Sequence, residues 1–205
     1  MIIAVDGPAA SGKGTIAKAL ARHYGLPHLD TGLLYRAVGI ATAQQGGNPD
    51  DPADALKGAA FPETLLDDPA IRSETAGGLA SRVSIHPAVR AALLARQRDF
   101  AAQTAGAIID GRDIGSVIVP QADAKLFVTA RTEIRAERRH REDPTDDYDA
   151  ILADIRQRDE RDSARSVAPL VRAADADLLD TSDLTIDAAV QRAIALVDAR
   201  IRDRR

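Results

Sequence analysis

The sequence predicts an α/β fold, a five-stranded parallel sheet flanked by helices. Two observations predict it: short apolar runs of the length of buried strands, and helical patterns that alternate with them. The apolar runs cover residues 2–5, 28–30, 107–110, 125–128 and 178–180. The helical patterns cover residues 16–24, 32–44, 87–103, 132–142, 148–161 and 186–202. This alternation is typical of a doubly wound domain, whose ligands lie beyond the carboxyl ends of the strands.

A glycine-rich loop follows the first predicted strand directly. It consists of Gly7, Pro8, Ala9, Ala10, Ser11, Gly12, Lys13, Gly14 and Thr15. This is P-loop spacing, in which small residues let backbone N–H groups surround a phosphate while the lysine reaches the terminal phosphates. Because a helical pattern follows, the positive end of that helix would face the anion. The sequence therefore predicts a P-loop NTPase-type domain that binds a nucleoside triphosphate.

The P-loop departs from the general pattern at the position of the metal ligand. Gly14 stands where the pattern has Ser or Thr, and the hydroxyl follows at Thr15. A glycine has no side chain to bind Mg²⁺, so either Thr15 binds the ion or water and phosphate oxygens hold most of it. We expect Mg²⁺ as the cofactor and Thr15 as its candidate ligand.

Composition excludes several classes of protein. The 205 residues are 45% hydrophobic and 28% charged, which suits one globular domain, and no cysteine is present for disulfides or thiolate metal sites. No apolar stretch is long enough to cross a bilayer, and Met1 leads into the first strand without a leader segment. A net charge of −4 argues against nucleic-acid binding. We expect a cytoplasmic monomer with small-molecule partners.

Two segments interrupt the alternation of strands and helices. The first, at about 46–103, is too long for an ordinary connection and is predicted to be an inserted substrate-binding subdomain. The second, at about 141–165, contains a polar bend and is predicted to be a lid. For both segments the alternative is a surface loop. The core is then about 1–45, 104–140 and 166–205.

Polar residues follow two predicted strands and suggest the second substrate. Arg36 comes shortly after one strand, and Arg112 and Asp113 follow another. Arginine forks suit phosphate recognition, and we expect the sheet to bring Arg36 and Arg112 together around an acceptor that carries a phosphate. Such an acceptor is already anionic, so it needs positive charge rather than a strong base.

Arginines are also concentrated in two later helices. Those at 131, 135, 138 and 139 are either part of a solvated helix face or a lid that closes over the transferring phosphoryl group. The next helix ends with Arg158, Asp162 and Arg165, for which we favour a role in the site. The candidates for charge stabilisation during transfer are Lys13, Arg112, Arg158 and Arg165.

Four blocks of sequence together resemble the bacterial cytidylate kinase family of P-loop nucleoside monophosphate kinases. They cover residues 7–15, 29–36, 109–115 and 158–170. The resemblance runs nearly end to end and implies transfer of the γ-phosphoryl group of ATP to CMP or dCMP. It also implies a five-stranded parallel core with an inserted monophosphate-binding subdomain and a lid.

The resemblance implies the following residues for the acceptor nucleotide: Thr31, Arg36, Ser81, Arg90, Arg112, Asp113, Arg158, Asp162 and Arg165. Arg36, Arg112 and Arg165 would hold the phosphate, with Thr31 beside it. Arg158 and Asp162 would contact the ribose.

The base would be recognised by Ser81, Arg90 and Asp113. A carboxylate facing the cytosine amino group, with Arg or Ser donors facing its acceptors, forms a complementary edge that uracil does not match. Ser81 could equally be a cap or turn serine, and Arg90 could be a solvent-facing helix arginine.

Three other functions compete with this interpretation. A kinase for a small hydroxyl compound would use Asp30 or Asp113 as a base. A nucleotide-binding switch would bind ATP without transfer to an acceptor. A nucleic-acid-binding protein would show salt-dependent binding to oligonucleotides.

Overall fold

The computed structural model describes residues 1–142 and 144–203. Strands β1 to β5 are Ile2–Asp6, His28–Asp30, Ala107–Gly111, Ala124–Thr129 and Asp177–Asp180. They form one sheet in the order β2-β3-β1-β4-β5, and the pairs β1–β3, β1–β4 and β4–β5 are parallel. The predicted fold class is confirmed, and each predicted strand agrees with the structure to within one residue at either end.

Helices α1 to α8 are Lys13–Tyr24, Thr31–Gln44, Pro52–Gly58, Glu74–Val83, Pro87–Ala101, Thr132–Glu142, Tyr148–Ala164 and Ile186–Asp203. Helix α5 ends earlier than predicted because the chain turns before β3, with Gly106 in the left-handed region at φ +89°. Helix α7 runs past its predicted end and stops where Arg165 becomes extended. None of the helices within the described residues is long and apolar enough to cross a membrane.

The chain divides into two compact units, Met1–Leu29 with Phe100–Arg205, and Asp30–Asp99. In the first unit the buried strands pack against α1 and α8, and these residues form the core: Ile3, Val5, Leu20, Ile108, Leu126, Val128 and Val197. The central strands are buried along nearly their whole length, as expected for parallel strands covered by helices on both faces.

In the second unit, α2 packs closely against α4 and also contacts α3. This unit begins at Asp30, whereas the inserted segment was predicted from about residue 46. The difference arises because α2 buries Leu34 and Val38 against Val83, Val89 and Leu93 of the inserted segment. Hydrophobic spacing predicts the helix but does not say which neighbour covers its apolar face.

Candidate active site

The P-loop leaves the carboxyl end of β1 and runs into α1 through two glycines with positive φ. A Cβ atom on Gly7, at φ +155°, would lie 2.0 Å from the carbonyl oxygen of Val128, so only glycine fits there. Gly12, at φ +87°, directly precedes the first residue of α1. These two positions curve the backbone around the start of the helix, where unpaired N–H groups attract anions.

Polar groups of the loop are arranged around this helix start. The Lys13 ammonium donates to the carbonyl oxygen of Pro8 at 3.4 Å. The Ser11 hydroxyl is buried and has no hydrogen-bond partner within the described residues. A buried hydroxyl without a partner is costly, and a bound phosphate or water would satisfy it. The first turn of α1 has no acidic residue that would repel an anion.

Two arginines of α6 donate to backbone carbonyl oxygens of the P-loop. Arg135 is buried and donates to the carbonyl oxygen of Ala9 at 3.1 Å, and it forms a two-pronged ion pair with Asp159 of α7. Arg138 donates to the Thr181 carbonyl oxygen at 2.6 Å and reaches the Ser11 carbonyl oxygen at 3.5 Å. The sequence left the role of these arginines open between a solvated face and a lid. The structure shows instead that Arg135 and Arg138 support the loop backbone.

The other two arginines of this group are placed differently. Arg131 pairs with Asp183 at 2.7 Å, and both side chains are more than half exposed. Arg139 pairs with Glu142 at 3.2 Å on the same helix. These contacts fit the solvated-face interpretation, and ion pairs of this kind contribute little stability.

A cluster of opposite charges lies near the P-loop lysine. Asp162 is buried, and its carboxylate accepts from Arg112 Nε at 2.8 Å and forms an ion pair with Arg165. Burial would raise the pKa of Asp162, but the charges of Arg112 and Arg165, with a smaller effect from Lys13, hold it below its usual value. Lys13 and the two arginines are therefore electrostatic neighbours, as expected for a site in which a phosphoryl group passes between two anions.

Two further predicted residues of the first unit, Asp113 and Arg158, are buried. Asp113 is 4% exposed and precedes a π-helical turn at Ile114–Ile118. Arg158 is buried and pairs with Asp154 of the same helix at 2.7 Å. Sequence reasoning assigned no chemistry to His28, yet its Nε2 lies 2.7 Å from a carboxylate oxygen of Asp110.

The second unit carries the other predicted residues. Thr31 is the buried first residue of α2, and Arg36 donates to the carbonyl oxygen of Ile71 at 2.9 Å. Ser81 lies in the last turn of α4, whose caps are Ser73 and Ser84, and its buried hydroxyl has no hydrogen-bond partner within the described residues. Arg90 is 8% exposed and its guanidinium lies 5.6 Å from the centre of the Tyr35 ring. Neither Ser81 as a cap nor Arg90 as a solvent-facing side chain agrees with these positions.

The predicted lid consists mainly of α7 and the bend before it. Asp143 in this bend lies outside the described residues. Asp147 caps α7 by accepting from the N–H of Ala150 at 3.3 Å. Helix α7 packs against α6, and the Arg135–Asp159 pair joins the two helices.

No group of three or more His, Asp or Glu side chains suited to hold a metal ion occurs among residues 1–142 and 144–203. Thr15 is exposed in the first turn of α1. The donors present therefore fit an ion that takes most of its ligands from a bound triphosphate and water, which is how Mg²⁺ is commonly held.

Comparison with known proteins identifies a family that this chain matches. A family model described as cytidylate kinase matches residues 3–199. The cytidylate kinase of Xanthobacter autotrophicus is 58% identical over 98% of each chain, and that of Azorhizobium caulinodans is 55% identical over 97% of this chain and 98% of its own.

Solved structures also resemble the chain. An uncharacterised protein from Eubacterium ventriosum has a TM-score of 0.60 at 16% identity, covering 97% of this chain and 99% of its own. A gluconokinase from Sinorhizobium meliloti has a TM-score of 0.57 at 15% identity, covering 98% of this chain and 94% of its own. At these identities the likeness shows the fold alone.

Proposed function

The chain belongs to the cytidylate kinase family, and we propose that it transfers the γ-phosphoryl group of ATP to CMP or dCMP, forming ADP and CDP or dCDP. The observation that carries the proposal is the placement of Lys13 beside the cluster of Arg112, Asp162 and Arg165. A P-loop lysine marks the donor phosphates, and arginines beside it mark an anionic acceptor.

The donor is held by residues 7–15. Backbone N–H groups at the start of α1 and the ammonium of Lys13 would bind the phosphates, and the Ser11 hydroxyl is available to a phosphate oxygen. Arg135 and Arg138 keep the loop in shape through its carbonyl oxygens. A loop already curved in this way does not lose binding energy to reorganisation when ATP arrives.

The acceptor phosphate is assigned to Arg36, Arg112 and Arg165, with Thr31 beside it. Asp162 keeps Arg112 and Arg165 oriented and partly offsets their charge. The acceptor oxygen attacks the γ-phosphorus while the bond to the bridging oxygen of ADP breaks. Because the attacking phosphate oxygen is already deprotonated, the arginines and Lys13 supply charge stabilisation and no general base is required.

The ribose is assigned to Arg158 and Asp162, and the base to Ser81, Arg90 and Asp113. Support for the base assignment comes from burial: Arg90 and Asp113 are each less than a tenth exposed, and the buried Ser81 hydroxyl has no protein partner within the described residues. Buried polar side chains of this kind discriminate well between bases, because a base that does not match leaves their hydrogen-bonding atoms without partners. We accordingly propose that residues 46–103 bind the monophosphate and that residues 141–165 act as a lid.

Mg²⁺ fits as a partner of the bound triphosphate. The Thr15 hydroxyl would be its protein ligand, directly or through water, and the ion when bound neutralises phosphate charge. We propose a monomer as the working unit, and we place the reaction in the cytoplasm, where both nucleotides are substrates.

The test is ADP formation from ATP in a coupled assay across a panel of monophosphates. We expect CMP and dCMP to be the best acceptors, with kcat/KM for UMP lower by roughly one to two orders of magnitude. The reason is that uracil would place its O4, a hydrogen-bond acceptor, against the Asp113 carboxylate, which also accepts. Turnover with a small hydroxyl compound but not with CMP would contradict the proposal, as would tight ATP binding without any acceptor-dependent turnover.

The variant Asp113→Asn sharpens this test. An amide can rotate to donate, so we expect the preference for CMP over UMP in kcat/KM to fall by roughly tenfold. Asp175→Asn is the control, since Asp175 is an exposed carboxylate paired with Lys125 and is not assigned to either nucleotide. An unchanged preference in Asp113→Asn would overturn the base assignment while leaving the kinase activity in place.

A further inference from the structure

The last residue of β1, Asp6, is a buried carboxylate that none of the roles above includes. Its exposed fraction is 6%. One carboxylate oxygen accepts from the N–H of Ile114 and the other from the N–H of Gly115, each at 2.8 Å. These two residues directly follow Arg112 and Asp113. Asp6 therefore ties the carboxyl end of β1 to the backbone of the predicted acceptor-binding segment.

The two N–H groups need an acceptor from outside their own turn. They open the π-helical turn Ile114–Ile118, whose first N–H groups have no partner within it. Asp113 is the N-cap residue of this turn, but its side chain makes no capping bond. Both residues are buried, so leaving their N–H groups unpaired would be costly. A carboxylate, with an oxygen for each N–H, satisfies both donors at once.

The packing around Gly115 brings this carboxylate close. A Cβ atom at Gly115 would lie 3.4 Å from the Asp6 carboxylate and 3.0 Å from Cδ of Lys125. An added methyl group would therefore press on the Lys125 stem and would touch the carboxylate at ordinary van der Waals distance. Gly115 therefore leaves room for the Lys125 stem beside the Asp6 carboxylate.

Burial makes this arrangement expensive for folding. Desolvation raises the pKa of Asp6 to about 6, although the bonds from Gly115 and Ile114 lower it, and Asp113 and Arg112 act in opposite directions. No ion pair to Asp6 is formed by any residue in the described ranges 1–142 and 144–203. A buried carboxylate that no ion pair compensates contributes little to stability by itself, which favours a role in the site.

The geometry points to Asp6 as a positioning residue for the acceptor nucleotide, which sets the backbone of residues 112–115 so that Arg112 and Asp113 meet the phosphate and the base. This inference rests on the proposed function, because it takes those two side chains to contact the acceptor. Asp6 does not touch the nucleotide itself and acts only through the two backbone hydrogen bonds.

The variant Asp6→Asn tests this role. It keeps the size of the side chain but replaces one acceptor oxygen with an NH₂ group that faces a backbone N–H. We expect KM and Kd for CMP to rise roughly tenfold and the preference for CMP over UMP to fall, with KM for ATP changed by less than about threefold. Kd for CMP is measured by calorimetry without ATP, so that binding is read independently of turnover.

The matched control is Asp123→Asn at the other end of β1. Asp123 also accepts a backbone N–H, that of Ile2 at 2.7 Å, but it lies at the amino end of the strand. We expect this variant to leave both KM values and the base preference as in the wild type. If Asp6→Asn does not fold, Asp6→Ser, which retains one hydroxyl acceptor, carries the same expectation.

Acidification provides a second readout. The charges that act on Asp6 are those of Asp113 and Arg112, while Lys125 from β4 packs its stem beside Gly115 and pairs its ammonium with Asp175. Protonation of Asp6 converts one acceptor oxygen to a donor. At low pH the wild-type protein should therefore bind CMP about as weakly as Asp6→Asn does. The phosphate of CMP also titrates near pH 6, but equally for both enzymes. The ratio of their KM values for CMP should therefore narrow from roughly tenfold at about pH 8 toward unity at about pH 5.

Several results would overturn the inference. A folded Asp6→Asn protein with CMP binding and base preference within about twofold of wild type would do so, and so would a ratio of KM values that is constant with pH. Equal increases in KM for ATP and CMP would indicate general damage to the P-loop and would also overturn it. In all these cases wild type still phosphorylates CMP, whereas failure of the proposed function appears as the absence of that activity in wild type.

Discussion

At the scale of single residues, the candidate site depends on charges that are paired with one another. Asp162 orients Arg112 and Arg165. The charge of Lys13 contributes to the lowered pKa of the Asp162 carboxyl. This network keeps positive charge beside the P-loop while limiting the repulsion between the cations. The charge is therefore in place before substrates bind, which is the condition for effective electrostatic stabilisation.

Lys13→Ala tests the separation between transfer and acceptor binding. We expect kcat to fall by roughly 10²- to 10³-fold, because the lysine stabilises charge on the transferring group, while Kd for CMP measured without ATP stays within about threefold. Lys18→Ala is the control, since Lys18 is exposed on the same helix. A parallel loss of CMP binding would show that Lys13 belongs to the acceptor site instead.

At the scale of elements, the structure depends on close approach between helices as much as on their hydrophobic faces. Helix α2 packs against α4 at Gly39, where a Cβ atom would lie 2.6 Å from Cβ of Leu79 and 3.0 Å from its backbone carbon. Helix propensity alone would favour alanine over glycine in the middle of α2. The close contact with α4 explains why this position has glycine and not alanine.

Gly39→Ala should therefore lower the free energy of unfolding by about 1–3 kcal/mol, because the clash outweighs the gain in helix propensity. Urea unfolding followed by circular dichroism measures the difference. Ala43→Gly, at an exposed position of the same helix, is the control and should cost no more than about 1 kcal/mol. A Gly39→Ala protein as stable as wild type would show that α2 and α4 adjust to the extra methyl group.

At the scale of the whole molecule, the proposed substrates should stabilise the folded chain. A ligand that binds only the folded state raises its stability by RT ln(1 + [L]/Kd), about 2.7 kcal/mol at 100 times Kd. For a chain of 205 residues this corresponds to an increase in Tm of roughly 5–10 °C. The increase depends on affinity, so it ranks ligands without requiring turnover.

We accordingly expect CMP to raise Tm measurably at a concentration where UMP raises it by less than half as much. Thermal unfolding with each nucleotide, at equal concentration and without ATP, makes the comparison. Asp113→Asn should reduce the difference between the two nucleotides. Equal shifts for CMP and UMP in wild type would contradict cytosine recognition in the free enzyme.

Much of the fold and the identity of the family could be predicted from local patterns. Apolar runs and helical spacing depend on neighbours in the chain, so they located every strand and most helices, and the P-loop is a contiguous motif. The short helices α3 and α4 were not assigned individually, although Pro52 after Asp51 and Ser73 before Glu74 are recognisable helix starts.

The pairing of charges could not be predicted in the same way. Nothing in the chain near Asp6 indicates that it binds the N–H groups of Ile114 and Gly115, or that Arg135 holds the carbonyl oxygen of Ala9. A carboxylate or guanidinium looks alike in the sequence whether it is solvated or buried. Only the packed structure shows which one is desolvated, and desolvation is what makes its partner and its pKa matter.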